Sequence, residues 1–188
     1  MEREIVIARP GEEKTFITEA RRLGWKKLLI LYEEQDAKTL PEEPLPENLH
    51  GLEVSAGVLL YKEKVPQWSQ RFSEVAALGT MILQVPKGVT LLCDNEYERE
   101  KDFTHQRRSG VSHVTMATCK ERGIRLAVGI ARFFSEDKSR RAQILGRIMQ
   151  NKKLAAKKNV GYEIVSMARR PEEMRSPVDV NALKRVLE

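Results

Sequence analysis

Sulfur and imidazole are scarce in this 188-residue chain, which holds two cysteines, Cys93 and Cys119, and three histidines. The cysteines lie 26 positions apart with no CxxC pair, so they read as reduced, buried thiols rather than a disulfide framework. His50, His105 and His113 form no HxH, HExxH or HxxxH spacing, whereas a metal centre needs several ligands converging on one ion. No metal site is therefore expected in the chain, since one would have to be assembled from scattered carboxylates. Neither GxGxxG nor GxxxxGK occurs, and Gly123, Gly129 and Gly146 stand alone, which removes enzymes that cradle nucleotides in a glycine-rich loop. Cys119 follows His113 by six positions, on a different face of a helix, which argues against a Cys–His nucleophile. Asp94, closing an apolar strand, is a candidate for a carboxylate at the C-terminal mouth of a barrel, though alone it carries no chemistry. Apolar runs such as Leu28–Leu31 and Val58–Tyr61 fall far short of the roughly 18 residues that cross a bilayer. The N-terminus, Met1-Glu-Arg-Glu-Ile, is unlike a secretory signal, so the expected location is cytoplasmic, with no membrane partner.

What is present is a globular composition with an uneven charge. Apolar residues make up 41% and charged residues 32%, enough for one domain over 1–188 with its own core. Residues 1–94 hold 12 basic and 15 acidic side chains, residues 95–188 hold 21 and 12, so a polyanion would meet the C-terminal half. Between Lys138 and Tyr162, Lys138, Arg140, Arg141, Arg147, Lys152, Lys153, Lys157 and Lys158 face no acid within the segment. Unrelieved like charges repel, which points to negative charge supplied from outside that segment.

The hydrophobic period alternates between strand and helix along the chain. Arg3–Arg9 reads as a strand, Glu12–Leu23 as a helix closed by Gly24, and Lys27–Tyr32 as a strand buried on both faces. Gln35–Gly51, with Pro41, Pro44 and Pro46, reads as an extended surface loop. Leu52–Tyr61 is a strand, and Pro66 opens a helix with Trp68, Phe72, Val75, Ala76 and Leu78 inward, ended by Gly79. Met81–Val85 and Thr90–Cys93 are short strands, and Glu96–Ser109 is a polar surface connection. Ser112 caps a helix carrying Val114, Met116, Ala117 and Cys119 up to Gly123, and Ile124–Phe134 reads as a strand. The basic helix occupies about Lys138–Asn159, with Ser135 or Asp137 as its cap. Ile144, Leu145, Ile148 and Ala155 fall on one side, and Arg140, Arg147, Lys153, Lys157 and Lys158 on the other. Tyr162–Ala168 is a last strand and Val178–Leu187 a closing helix after Ser176-Pro177. The alternation predicts an α/β fold, a largely parallel sheet with helices outside, open or closed as a compact barrel.

Three segments in order carry a family resemblance: Gly110-Val-Ser-His113-Val behind Arg107-Arg108, Ser139-Arg-Arg-Ala142 with Leu145, and Met174-Arg-Ser-Pro177-Val-Asp179-Val. Together residues Arg107–Leu187 resemble protein component 3 of archaeal ribonuclease P, counterpart of the eukaryotic thirty-kilodalton subunit. The family usually carries an acid or amide where this chain has Ser112, and Ser-Ser-Gly-Ala where it reads Val165-Ser-Met-Ala168. The resemblance implies a TIM-like barrel related to the PHP metal hydrolases, without their metal histidines. It implies a subunit of the ribonucleoprotein endonuclease that removes the 5′ leader from precursor tRNA, in which the RNA subunit, using Mg²⁺, cuts the phosphodiester. Implied partners are the ribonuclease P RNA, precursor tRNA indirectly, component 2 in a heterotetramer, and other ribonuclease P proteins. Positions matching residues linked to activity are Arg107, His113, Arg122, Lys157 and Arg175. With Arg108, Arg140, Arg147, Lys153 and Lys158 they form the expected RNA-binding set, in which fixed cations neutralise phosphates where RNA helices approach. The alternatives are a stand-alone metal-dependent phosphoesterase on the same barrel, and a general RNA-binding module.

Overall fold

The computed structural model describes residues 3–40, 48–49, 51–62, 64–79, 85–98, 101–102 and 107–187. Along the chain these are β1 (Glu4–Ile7), α1 (Glu13–Leu23), β2 (Lys27–Glu33), α2 (Glu34–Ala37), β3 (Asn48–Leu49), β4 (Leu52–Leu60), β5 (Glu74–Leu78) and β6 (Leu91–Cys93). There follow α3 (His113–Arg122), β7 (Arg125–Gly129), α4 (Ile130–Ser135), α5 (Lys138–Lys158), β8 (Tyr162–Val165) and α6 (Pro177–Val186).

Seven of these strands lie side by side in the order β1-β2-β4-β5-β6-β7-β8, each parallel to its neighbour, while β3 pairs antiparallel with β4. Past β8, Ala168 bridges Val6: the Ile7 amide donates to the Ala168 carbonyl and the Met167 amide to the Ile5 carbonyl, both at 2.8 Å. The sheet thereby closes on itself as a compact TIM-like barrel with helices around it.

Strand parity sorts the core. Ile5, Ile7, Leu29, Leu31, Leu59 and Met167 belong to the interior cluster, filled out by the small Ala76 and Ala127. Val6, Leu28, Ile30 and Leu126 belong instead to the larger cluster that includes Phe16, Met116, Ile144 and Val180 of the helices. Strands buried on both faces need the near-continuous apolar runs seen in the sequence. At the N-terminal ends of the strands, Arg3 pairs with Glu74 and with Glu163, each at 2.9 Å, and Arg125 pairs with the same two carboxylates. This alternating ring ties β5, β7 and β8 to the start of β1.

Caps fall where the sequence puts them. Gly24 and Gly123 close α1 and α3 in the left-handed region, at φ 87° and 67°, which costs glycine nothing. Ser112 and Ser176 accept the Thr115 and Asp179 amides, the latter within a capping box.

Other expectations are corrected. The helix expected from Pro66 to Gly79 is a short 3-10 turn, Gln67–Arg71, followed by β5. Val75, Ala76 and Ala77 are buried between β4 and β6, where both faces of a strand need apolar residues. The strand expected over Ile124–Phe134 stops at Gly129, and Ile130–Ser135 is helical. The loop expected over Gln35–Gly51 begins inside α2 (Glu34–Ala37) and contains β3 (Asn48–Leu49), while Pro41, Pro44 and Pro46 lie outside the described residues. The strand expected over 81–85 lies outside them too, except Val85. Of the apolar residues of α3, Met116 and Cys119 are buried and Val114 and Ala117 exposed. The connection expected on the surface holds fully buried Glu96, Tyr97 and Ser109.

Candidate nucleic-acid interface

The basic helix α5 spans 21 residues, capped by the Asp137 side chain and ended by Asn159 in the left-handed region. Its inward face carries Ile144, Ile148 and Ala155, and also Arg147 and Asn151. Arg147 sits three positions after Ile144 and one before Ile148, so helical geometry turns it inward rather than to the expected outer face. Its side chain is fully buried. Nε and Nη2 reach the Asp102 carboxylate at 2.9 and 2.8 Å, and Nη1 donates to the carbonyls of Glu96 and Glu98. Arg140, one turn before Ile144, donates to the Tyr97 and Glu98 carbonyls at 2.9 and 2.6 Å. Burial and the neighbouring Arg147 guanidinium press its pKa down. Both arginines, expected among the RNA-binding cations, instead hold Glu96–Glu98 and, through Arg147, Asp102 against α5.

Two further side chains of α5 complete that docking. Gln150 donates to the Arg107 carbonyl and the Ser109 hydroxyl, and Asn151 to the Ser109 carbonyl at 2.9 Å. Asn151 also donates to Glu96 Oε1 at 2.6 Å, an oxygen shared with the Tyr162 hydroxyl at 2.7 Å. Glu96 Oε2 is buried without a partner, and burial pushes the carboxyl up to about 7. The sequence carries one pointer to this node: Asn151, seven positions after Ile144, is polar in an apolar stripe.

The remaining predicted cations sort by exposure. Arg107, Arg122, Lys153 and Lys157 are exposed, as is His113 at the first position of α3. Arg107 sits near Asp102, at 3.8 Å, and Arg122 Nη1 donates to the Val85 carbonyl at 3.0 Å. Arg108 and Lys158 are half-buried, Arg108 lying 3.4 Å from the Glu98 carboxylate. Arg107 is thus brought onto α5, the helix that carries Lys153 and Lys157. Arg175 belongs to another neighbourhood. Its amide donates to the Ser166 hydroxyl, its carbonyl accepts from the Trp25 indole, and its guanidinium lies 5.1 Å over the exposed Phe134 ring. Ser166 in turn donates to the fully buried Glu4.

The C-terminal mouth of the barrel is a separate feature. Asp94, past β6, accepts the Gly129 amide at 2.8 Å, and burial pushes its carboxyl up to about 6. With Ile7, Leu59, Leu78, Arg132 and Arg169 it lines a cavity of about 290 Å³. Arg169 and the Tyr61 hydroxyl both donate to Glu33 at 2.6 Å; burial raises that carboxylate, but these bonds outweigh it and hold it low. No histidine or cysteine is among the described residues lining this cavity. Among the described residues no three His, Cys, Asp or Glu side chains converge to hold a metal ion; His50 and His105 lie outside them. No helix among the described residues is long and apolar enough to cross a membrane.

No protein-family model and no curated protein sequence matches the chain. Among solved structures it is similar to a chain in the cryo-EM structure of archaeal ribonuclease P with mature tRNA, at 19% identity and TM-score 0.72, covering 98% of this chain and 82% of that one. It is also matched to the dihydropteroate synthase of Yersinia pestis, at 14% identity and TM-score 0.41, over 98% of this chain and 93% of that one. The first likeness shows a shared fold along nearly the whole chain.

Proposed function

We propose that this chain is a protein subunit of ribonuclease P, acting on the shape of the catalytic RNA rather than cutting a bond itself. The observation that carries the reading is the barrel's likeness to a chain of an archaeal ribonuclease P structure, over 98% of this sequence at TM-score 0.72. The motif segments support it: the first contains the docked 107–110 segment, the second lies in the first turns of α5, and the third runs into α6. In this reading the partners are the ribonuclease P RNA, other ribonuclease P proteins and component 2 as a heterotetramer. Precursor tRNA is met indirectly, and the RNA uses Mg²⁺ for hydrolysis in the cytoplasm. Exposed Arg and Lys on a rigid helix lower the repulsion between RNA segments that must pack together.

The test is precursor-tRNA cleavage by reconstituted ribonuclease P RNA at low Mg²⁺ with component 2, adding or omitting this chain. Stimulation that vanishes when Arg107, Arg122 and Arg175 are replaced supports the reading, and its absence removes it. A second reading, a phosphoesterase on the same barrel, is favoured by the Asp94 cavity at the mouth where such barrels keep their sites. Turnover of a phosphoester by the chain alone would establish it.

A further inference from the structure

Gly146 is an anomaly in α5. It lies near the middle of a 21-residue helix, where glycine is the worst ordinary residue and alanine the best. The reason lies in another segment. A methyl group placed on Gly146 would overlap the Arg107 guanidinium: its Cβ would lie 2.6 Å from Nε and closer still to Cζ and Nη1. The helix thus leaves a bare patch of backbone, and the Arg107 side chain lies across it, still 49% exposed. The Gln150 side chain, one turn on, holds the Arg107 carbonyl at 3.3 Å.

That seat lines up with the exposed lysines. Gly146, Gln150, Lys153 and Lys157 follow at steps of four, three and four, a single stripe of the helix opposite Ile144 and Ile148. At about 1.5 Å of rise per residue, Lys153 lies ~10 Å along the axis from the seat and Lys157 ~6 Å beyond it. Charges on one strand of duplex DNA advance about 3.4 Å each along the axis and those of an A-form RNA strand are no more widely spaced along theirs, so the row spans several successive phosphates. Lys153 and Lys157 are exposed and have no ion-pair partner among the described residues. Arg140 and Arg147 are turned away from this stripe and consumed by internal acceptors.

We propose that Gly146 is a positioning residue that seats Arg107 at the head of a three-cation row, Arg107–Lys153–Lys157, and that this row follows the phosphates of one RNA strand. The proposal rests on the ribonuclease P reading for the identity of the RNA. The row supplies charge at fixed spacing and no base-edge readout, so it binds backbone and not sequence.

The experiment uses the full chain and two probes, labelled archaeal ribonuclease P RNA and a single-stranded RNA of unrelated sequence, titrated across a salt series. Gly146→Ala is the informative variant, because the atoms it displaces are the end of a flexible side chain, so Arg107 leaves and the helix stays. The expected result is unchanged or raised thermal stability together with ribonuclease P RNA affinity lowered on the order of threefold to fivefold. The slope of log K against log salt should become shallower by about 0.7–0.9, the loss of one phosphate. Arg107→Ala should show the same two changes, and Gly146→Ala in that background should add nothing. If Arg107→Ala, Lys153→Ala and Lys157→Ala weaken binding while Gly146→Ala does not, the seat is wrong although the RNA-binding face stands. If none of the four alters binding to either probe, the face does not hold RNA. Equal losses on both probes would support backbone recognition and remove preference for the ribonuclease P RNA from this row.

Discussion

The buried guanidinium of Arg147 meets the carboxylate of Asp102 at 2.8 Å, across 45 positions of sequence. The same Asp102 oxygen accepts the Arg108 amide at 2.9 Å, and Arg147 also satisfies the carbonyls of Glu96 and Glu98. One side chain of the basic helix therefore fixes the segment that presents Arg107 and Arg108. Cations that hold the interface together are distinct from cations that face outward.

Replacing Arg147 should unfold this arrangement rather than merely reduce charge. Arg147→Leu leaves the Glu96 carbonyl without its donor, the Glu98 carbonyl with Arg140 alone, and Asp102 without its buried charge partner. Breaking a buried pair from one side typically costs about 3–5 kcal/mol. A urea midpoint corresponding to about 3 kcal/mol of lost stability is expected. Arg147→Lys should lose much of the same, because one ammonium cannot reproduce the forked contacts. A loss below ~1 kcal/mol for Arg147→Leu would refute the docking role.

Glu96 makes stability depend on pH with a definite sign. Its carboxyl is raised by burial from 4.5 to about 7, with Oε2 unpartnered. The folded state therefore holds a proton that the unfolded chain releases near pH 4.5. Stability from this group is fully present below that value, declines as pH rises toward 7, and is flat above. The full change is on the order of 3 kcal/mol. Glu4, also raised to about 7 by burial, adds a dependence of the same sign. Glu96→Gln keeps the acceptor for Asn151 and Tyr162 and cannot ionise. Denaturation curves at pH 5 and pH 8 should show a stability advantage for Glu96→Gln that widens at the higher pH. Parallel behaviour of the two proteins would show that Glu96 is not the titrating group.

A parallel sheet buried on both faces was legible from apolar runs such as Leu28–Tyr32, but its closure was not, because the same runs suit an open sheet and a closed one. The cap was legible at Ser112 because a hydroxyl just before an apolar period has few other uses, whereas at α6 only the Ser176-Pro177 start was legible and the capping box was not. Val75–Leu78 was not, because Trp68, Phe72, Val75 and Ala76 also fit a helical spacing, and only β4 and β6 on either side decide for a strand. The interface was half legible. A charge count marks α5 as basic, but it cannot tell a cation aimed at solvent from one aimed at carbonyls. Asp102, the partner of Arg147, reads in sequence as an ordinary surface acid. Gly146 gives no signal until Arg107 is seen lying on it.

Asp94 separates the two functional readings. Asp94→Asn keeps an oxygen for the Gly129 amide, suits the left-handed backbone at φ 57°, and removes a carboxylate that burial disfavours. If the chain supports a catalytic RNA, cleavage of precursor tRNA by the reconstituted particle should be unchanged and the protein no less stable at pH 8. A loss of turnover on the order of a hundredfold without a loss of stability would place chemistry at the barrel mouth.

The outward and inward cations of α5 should give opposite phenotypes. Lys153→Ala with Lys157→Ala removes two exposed charges from a helix whose core face is untouched, and alanine is the better helix former. Stability should stay within about 0.5 kcal/mol of the parent, while the salt slope of RNA binding becomes shallower by about 1.4–1.8. Arg140→Ala should do the reverse. It strips donors from the Tyr97 and Glu98 carbonyls, about 1–3 kcal/mol for polar groups left partly buried, and it removes no outward charge. Its salt slope should match the parent once binding is corrected for the folded fraction. A shallower slope for Arg140→Ala at full folding would mean that Arg140 leaves its carbonyls to meet phosphate. The division of α5 into a docking face and an RNA-facing stripe would then have to be abandoned.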